Sequence, residues 1–599
     1  MERVADYVMQ RVYEAGARHV FLVTGRGILF LTDALAKQEG LTPVSTYHEQ
    51  GASYAAMAYA QAREGLGACL VSTGCAAMNA ITAALCAWQD NVPVLFLSGQ
   101  HMLRETTAHT KLPIRTYGSQ EADIISIVRP ITKHAVMLEA AGDIGIVMDR
   151  ALHAAVTGRK GPVWIDIPLD LQNARIDPAS LAHWSGDEVR PKVGAGKLAQ
   201  ICSALQHAER PLLLIGGGVR SAGAQSLVEK IVERLQLPVV FTPAAADVYG
   251  ASQVLSIGSI GSIGGSRAGN FAVQQADYLL VVGTKLCSQV TGAEQPPFAP
   301  HARIDVVDID EMEHRKAEPA HQVFLHADAA DFFRALLAEE LVTVPERWGR
   351  QCAHWKSVFS IPREAFVQEL AAKDEIDLYG FSYALGNVLP EEAAVITDAG
   401  LEELIVPSAI PYRKGQRCLF PAAQGAMGYA IPAILGAHFA GTKDIVAVVG
   451  DGSIMMNVQE LYIIASRGIP VKLFVINNDM YAVIRKRQRD LFRKRTIGND
   501  PSDGVPAPDF EKLAEGVGIR YERISKCSEL PARLAGVMQM EGAVLCEVIC
   551  TPDQKYLHQS YGLNEKRRLE QRPLDDLSPF LDRDTLMRER SLEGVDAHE

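Results

Sequence analysis

Two short clusters, Gly450-Asp451-Gly452-Ser453 and Asn477-Asn478-Asp479, each close an apolar run, DIVAVV and VKLFVI. The runs read as parallel strands, which puts Asp451 and Asn478 at the C-terminal ends of two strands joined by a crossover helix, expected from about Asn457 to Arg467. In open α/β sheets that edge is where ligands bind. One carboxylate and one amide oxygen form a sparse, hard-oxygen ligand set. Mg²⁺ accepts such a set and completes its octahedron with phosphate and water. Glycines beside them let a ligand approach the backbone closely. A plain turn would account for GDG alone, but a second strand ending in Asn-Asn argues for a metal-held phosphate.

A third feature is remote. Tyr47-His48-Glu49-Gln50-Gly51 ends the run PVSTY and opens an Ala-rich helix. A lone glutamate there is usually a partner of the helix dipole, and His48 reads as a structural, hydrogen-bonded residue.

The elements that must position these groups repeat along the chain. At 599 residues there is room for three or four units of roughly 100–200 residues each. Residues 1–172 carry HVFLVTG, ACLVSTG, PVLFLSG and GPVWIDIPLD; 193–342 carry PLLLIGGGV, PVVFTP, YLLVVG and IDVVDID; 360–555 carry AAVITDAG, DIVAVVGDG, VKLFVINND and AVLCEVIC. Strand-like runs alternating with helical patterns predict α/β architecture: three doubly wound parallel-sheet domains. Residues 173–192 read as a linker, and Pro345–Lys373 as a polar helical connection. The polar stretch 556–599 reads as a surface-draped tail, disordered after Glu589.

The net charge of −12 argues against a nucleic-acid partner, which needs a basic face. Ten scattered cysteines without a CxxC pair fit free thiols in a reducing compartment. No apolar stretch approaches the ~18 residues that span a bilayer, and MERVADYVMQRVYEAG reads as a first helix, not a signal peptide. A cytoplasmic location without membrane contact is the expectation.

Taken together, GDG, the downstream NN and the distant Glu49 resemble the thiamine-diphosphate enzyme superfamily. The resemblance implies that Asp451, the Asn478 side chain and the Met480 carbonyl ligate Mg²⁺, and that Gly450, Gly452 and Ser453 line the diphosphate. It also implies that Glu49 hydrogen-bonds N1′ of the aminopyrimidine, promoting the imino form whose 4′-nitrogen removes the thiazolium C2 proton. The pyrimidine and diphosphate ends of one cofactor then meet across a subunit interface, giving a homodimer or homotetramer.

Nearly the whole chain is similar to acetolactate (acetohydroxyacid) synthase large subunits, in STGCAAMNAITAALCAWQDNVPVLFLSGQ, SQEADIISIVRPITKHAV, GPVWIDIPLDLQ and QGAMGYAIPAILGA. That similarity implies a carboligase of the kind used in branched-chain amino acid biosynthesis. It would decarboxylate a 2-oxoacid such as pyruvate and add the carbanion to a second carbonyl substrate. Gly25 and Gly27 would face the cofactor, with Gln424 near the pyrimidine and Met427 packed beneath it. Gln120 would face the substrate, and Lys133 a channel for a second substrate or FAD. The sequence departs from the synthases at Lys285–Gln289, where FAD and acceptor would be gripped. It departs again at Arg485-Lys486-Arg487, a basic run where they place an acceptor-selecting tryptophan. Gly258–Gly265 falls in the FAD-contacting region but taken alone reads as a flexible loop. RPLDDLSPFLDRD resembles a subgroup often linked to unusual sugar or polysaccharide pathways. The competing readings are a 2-oxoacid decarboxylase or C–C lyase of the same superfamily, and a non-catalytic scaffold or regulatory homologue.

Overall fold

The computed structural model describes every residue except 187–189, 293, 295, 317, 318, 564–567 and 592–599. Three six-stranded parallel sheets succeed one another. The first contains β1 (His19–Leu22), β2 (Thr42–Ser45), β3 (Gly67–Val71), β4 (Val94–Gln100), β5 (His134–Met137) and β6 (Val163–Pro168), in the order β2-β1-β3-β4-β6-β5. The second contains β7 (Pro211–Ile215), β8 (Val239–Phe241), β9 (Ser256–Ser259), β10 (Tyr278–Val282), β11 (Arg303–Asp308) and β12 (Val323–His326), in the order β9-β8-β7-β10-β11-β12. The third contains β13 (Ala394–Thr397), β14 (Arg417–Leu419), β15 (Ile445–Gly450), β16 (Lys472–Asn477), β17 (Arg520–Ile524) and β18 (Val544–Ile549), in the order β14-β13-β15-β16-β18-β17. The outer two sheets thus share one strand order.

The strands form because their apolar runs fill two cores at once. In β7, Leu213 and Ile215 enter one cluster while Leu212 and Leu214 enter another. That is the pattern of a sheet covered on both faces.

Five helices bear on the site: α1 (Glu49–Arg63), α2 (Leu401–Ala409), α3 (Ala430–Phe439), α4 (Glu460–Ser466) and α5 (Ala482–Leu491). In α1 every residue from Gly51 to Ala60 is buried, as expected of a helix that is apolar or small all round. It packs on α3 so closely that a Cβ on Gly436 would lie 2.3 Å from the Ala55 carbonyl oxygen. The crossover helix expected from about Asn457 to Arg467 is α4, three residues shorter at its start and preceded by a 3₁₀ turn, Ile454–Asn457.

Two expectations change. The loop through Gly258–Gly265 is pinned: Asn270 exchanges hydrogen bonds with Gly261, and the Gly264 N–H donates to Leu557 at 2.9 Å. The tail is not merely draped. Leu574, Leu577 and Leu586 are buried, and the Glu589 carboxylate meets His354 Nε2 at 2.9 Å. The disorder expected after Glu589 falls, from 592 onward, outside the described residues. The stretch read as a linker contributes Arg175–Ile176, which pairs antiparallel with Glu2–Arg3. All ten cysteines are free. Among the described residues, no helix is long and apolar enough to cross a membrane.

Candidate active site

Each sheet presents loops at the point where its strand order reverses, the ligand-binding position of doubly wound folds. In the third sheet the reversal lies between β13 and β15, so Asp398–Glu403 and Gly450–Ser453 converge there. Asp451 is only 5% exposed. Its Oδ2 accepts the N–H groups of Asn478 at 3.1 Å and Asp479 at 2.7 Å. Asn478 Oδ1 in turn accepts the Met480 N–H at 3.2 Å. Burial pushes the Asp451 carboxyl up to about 6, with Asp479 adding to the effect. The expected trio Asp451, Asn478 and Met480 is therefore one hydrogen-bonded unit.

Among the described residues, no three His, Cys, Asp or Glu side chains converge as a complete metal cage. The donors present, one carboxylate, one amide and nearby carbonyls, fit a hard cation that takes its remaining oxygens from phosphate and water. A buried carboxylate held above its ordinary pKa would gain from such a cation.

The cradle around this unit is tight. A Cβ on Gly452 would lie 2.0 Å from a ring carbon of Tyr481, and one on Gly425 would lie 1.9 Å from Glu403 Oε2. Ser453 spends its hydroxyl internally, donating to Asp398 Oδ2 at 2.7 Å and accepting the Gly428 N–H at 3.0 Å. Its main chain opens the 3₁₀ turn Ile454–Asn457, leaving N–H groups of the kind that receive anions. Asn457 donates to the Gly428 carbonyl at 2.8 Å, fixing the loop that carries Met427. Gln424 Nε2 reaches Gln89 Oε1 of the first domain at 2.6 Å.

The second half of the site lies on the first sheet, between the ends of β1 and β3. A Cβ on Gly25 would strike Ser72 Oγ at 2.4 Å, and one on Gly27 would strike Thr73 Oγ1 at 1.8 Å. The neighbouring turn at Gly74 abuts the Gln120 carbonyl, where a Cβ would lie at 2.2 Å. Gln120 itself has φ +66° and is exposed. Glu49 opens α1 behind His48, whose Nδ1 accepts the Gln50 N–H at 3.1 Å as the helix cap. The half-buried Glu49 accepts from Asn79 Nδ2 at 3.0 Å. Lys133 stands apart: Nζ donates to the Thr157 carbonyl at 2.6 Å, and burial pushes the amine down to about 8.

Sequence reasoning missed several acids. Asp398 is fully buried, and burial pushes it up to about 6. Burial holds Glu402 well above its ordinary value, with Asp398 and Asp451 as further causes, and raises Glu403 to about 8. Glu460, fully buried, is pushed up to about 7 by burial and accepts from the main chain of Tyr47 and His48. Their only signal was position, a strand end or a first helical turn, and acids are common in first turns.

A cavity of about 510 Å³ lies where the three domains meet. Gly217–Gly218 and Gly283–Lys285 line it at the reversal point of the central sheet, joined by Arg159, Lys160 and Ile263. The departing segment Lys285–Gln289 and the glycine-rich loop thus meet at one void. The basic run at 485–487 lies on α5, which buries none of its residues; Arg485 pairs with Asp500 at 2.9 Å and Lys486 with Asp490 at 2.7 Å.

Comparison with known proteins gives the family. Family models for the thiamine pyrophosphate enzyme N-terminal TPP-binding domain, central domain and C-terminal TPP-binding domain match residues 2–127, 198–336 and 398–548. The acetolactate synthase large subunit of Parasynechococcus marenigrum is 31% identical, across 91% of this chain and 87% of that protein. The acetolactate synthase isozyme 2 large subunit of Escherichia coli is 30% identical, across 91% and 95%. The chain belongs to the thiamine pyrophosphate enzyme family, with acetolactate synthase large subunits among its relatives.

Proposed function

We propose that the chain is a thiamine-diphosphate- and Mg²⁺-dependent carboligase that decarboxylates a 2-oxoacid and joins the remaining fragment to a second carbonyl compound. The observation that carries this reading is the hydrogen-bonded unit of Asp451, Asn478 and Met480 at the reversal point of the third sheet. These three residues would hold Mg²⁺ against the diphosphate, with Gly450, Gly452 and Ser453 giving it main-chain contact. When bound, the cofactor supplies the nucleophilic carbon and the electron sink. Met427 and Gln424 shape the third-domain wall of the pocket. Glu49 holds a proton at the pyrimidine N1′, while Gly25 and Gly27 keep the first-domain wall close.

Glu49 and Asp451 stand on different domains, which supports a homodimer or homotetramer in which each centre takes one half-site from each of two copies. Gln120 faces the substrate. Lys133, anchored beside Val156 and Gly158 of the cavity wall, guards the channel. The cavity has the size and the glycine-lined sheet edge suited to a dinucleotide such as FAD, in a structural role. The basic α5, following directly on Met480, favours an acceptor with a negative group.

The test is incubation of the purified protein with pyruvate, Mg²⁺ and thiamine diphosphate, with a panel of 2-oxoacids, aldehydes and ketones as acceptors. Coupled products are expected. Acetaldehyde as the sole product would replace the carboligase by a decarboxylase, and no consumption of any 2-oxoacid would favour a non-catalytic role. Mass spectrometry of the cofactors released on denaturation tests the flavin.

A further inference from the structure

The turn that carries Glu49 is gripped from another domain. Glu460 Oε1 accepts the N–H groups of Tyr47 and His48, both at 3.1 Å, from more than 400 residues away. These donors precede the helix, so α1 itself offers them no acceptor. On the other flank of Glu49, Asn457 Nδ2 donates to Gln50 Oε1 at 3.0 Å. Asn457 and Glu460 are both fully buried. The approach is closest at Gly51, where a Cβ would lie 2.6 Å from Glu460 Oε1. The gripping segment begins just after Ser453, so it continues the chain that forms the Asp451 cradle.

We propose that Glu460, assisted by Asn457, is a positioning residue for Glu49, a clamp that sets the direction in which the Glu49 carboxyl leaves the start of α1. This rests on the reading of Glu49 as the group that holds the cofactor proton. The residues on either side of Glu49 are fixed by buried partners, while the Glu49 carboxylate accepts, among the described residues, from the side chain of Asn79. Its placement is therefore inherited from its neighbours.

Hydrogen exchange of the full-length, cofactor-free protein reads the clamp without activity. Glu460→Ala should speed exchange at the Tyr47 and His48 amides by about tenfold or more. Glu460→Gln, which keeps an oxygen at Oε1, should remain close to wild type. In the loaded enzyme, Glu460→Ala should lower kcat by about 10- to 100-fold, the cost of a misplaced catalytic group, with the KM for the 2-oxoacid within about twofold. Glu460→Gln should recover most of that loss. Should Glu460→Ala fail to fold, Gly51→Ala pushes the carboxylate away from the other side and is read in the same two ways. A folded Glu460→Ala or Gly51→Ala protein with unchanged exchange at Tyr47 and His48 overturns the clamp, as does an unchanged kcat in an enzyme that Glu49→Gln inactivates. Failure of the underlying reading looks different: Glu49→Gln would then turn over normally while the Glu460 variants still altered exchange.

Discussion

The two half-sites are built to different standards. Around Asp451 the main chain closes on the carboxylate, the residue is nearly inaccessible, and neighbouring acids are buried with it. Glu49 is half-buried, with one side-chain partner, and its surroundings are fixed through its neighbours. One half closed and one half open fits the proposed shared site, in which a surface of another copy would cover the open half.

Subunit mixing tests that contrast most severely. Glu49→Gln and Asp451→Ala should each be inactive, while a mixture allowed to exchange subunits should regain about a quarter of wild-type activity, because each hybrid dimer has one intact centre. A mixture that stays inactive would mean that each chain carries its own complete site. Measured singly, the two variants should separate binding from chemistry. Glu49→Gln should lower kcat by about 10²- to 10⁴-fold yet keep the thermal stabilisation given by cofactor with Mg²⁺. Asp451→Ala should lose that stabilisation, about 2.7 kcal/mol at a ligand concentration of 100 Kd; the reverse pattern would exchange the roles.

A gentler lesion is Gly452→Ala, whose Cβ must displace the Tyr481 ring beside the Met480 carbonyl. Titration calorimetry should show Mg²⁺ affinity in the presence of thiamine diphosphate reduced by about 10- to 100-fold. Unchanged affinity would show that the cradle is looser than its contacts suggest.

The smallest effect concerns pH. Burial raises Asp398 from its ordinary 3.8 to about 6. The folded protein therefore keeps this proton after the unfolded chain has released it. The stability so contributed is full below pH 3.8 and is lost as pH rises through 6, at about 1.4 kcal/mol per pH unit within that window. Denaturant titrations of the cofactor-free protein between pH 4.5 and 7 should show a shallower decline in Asp398→Asn than in wild type. Parallel declines would refute the assignment.

Much of the sheet architecture was legible, but unevenly. The central strands announce themselves as continuous apolar runs because both of their faces are covered. The strands that escaped notice, His134–Met137, Ser256–Ser259, Val323–His326, Arg417–Leu419 and Arg520–Ile524, all lie at sheet edges. There, one side lacks a neighbour and polar residues enter, as in Arg-Tyr-Glu-Arg-Ile. Asp451, Asn478 and Glu49 could be read because, although each is ordinary alone, the three make chemical sense only jointly. Glu402, Glu403 and Glu460 could not, since an acid in a first helical turn is ordinary until tertiary packing removes its water. The tail misled because its three burying leucines are spaced among charges that find partners only in the fold, as Arg583 does with Asp576 at 2.7 Å.

The third sheet has a further consequence. Val446 and Val448 of β15 enter a core shared with the central domain, while Ala447 and Val449 enter one shared with the helix that starts at Glu49. Neither face of this sheet closes a core private to its own domain. Unfolding of the third domain should therefore be coupled to that of its two neighbours, which calorimetry would show as overlapping transitions in place of a separate one for residues 360–555. A ligand bound at Asp451 would then also stabilise the two shared cores on either face of this sheet.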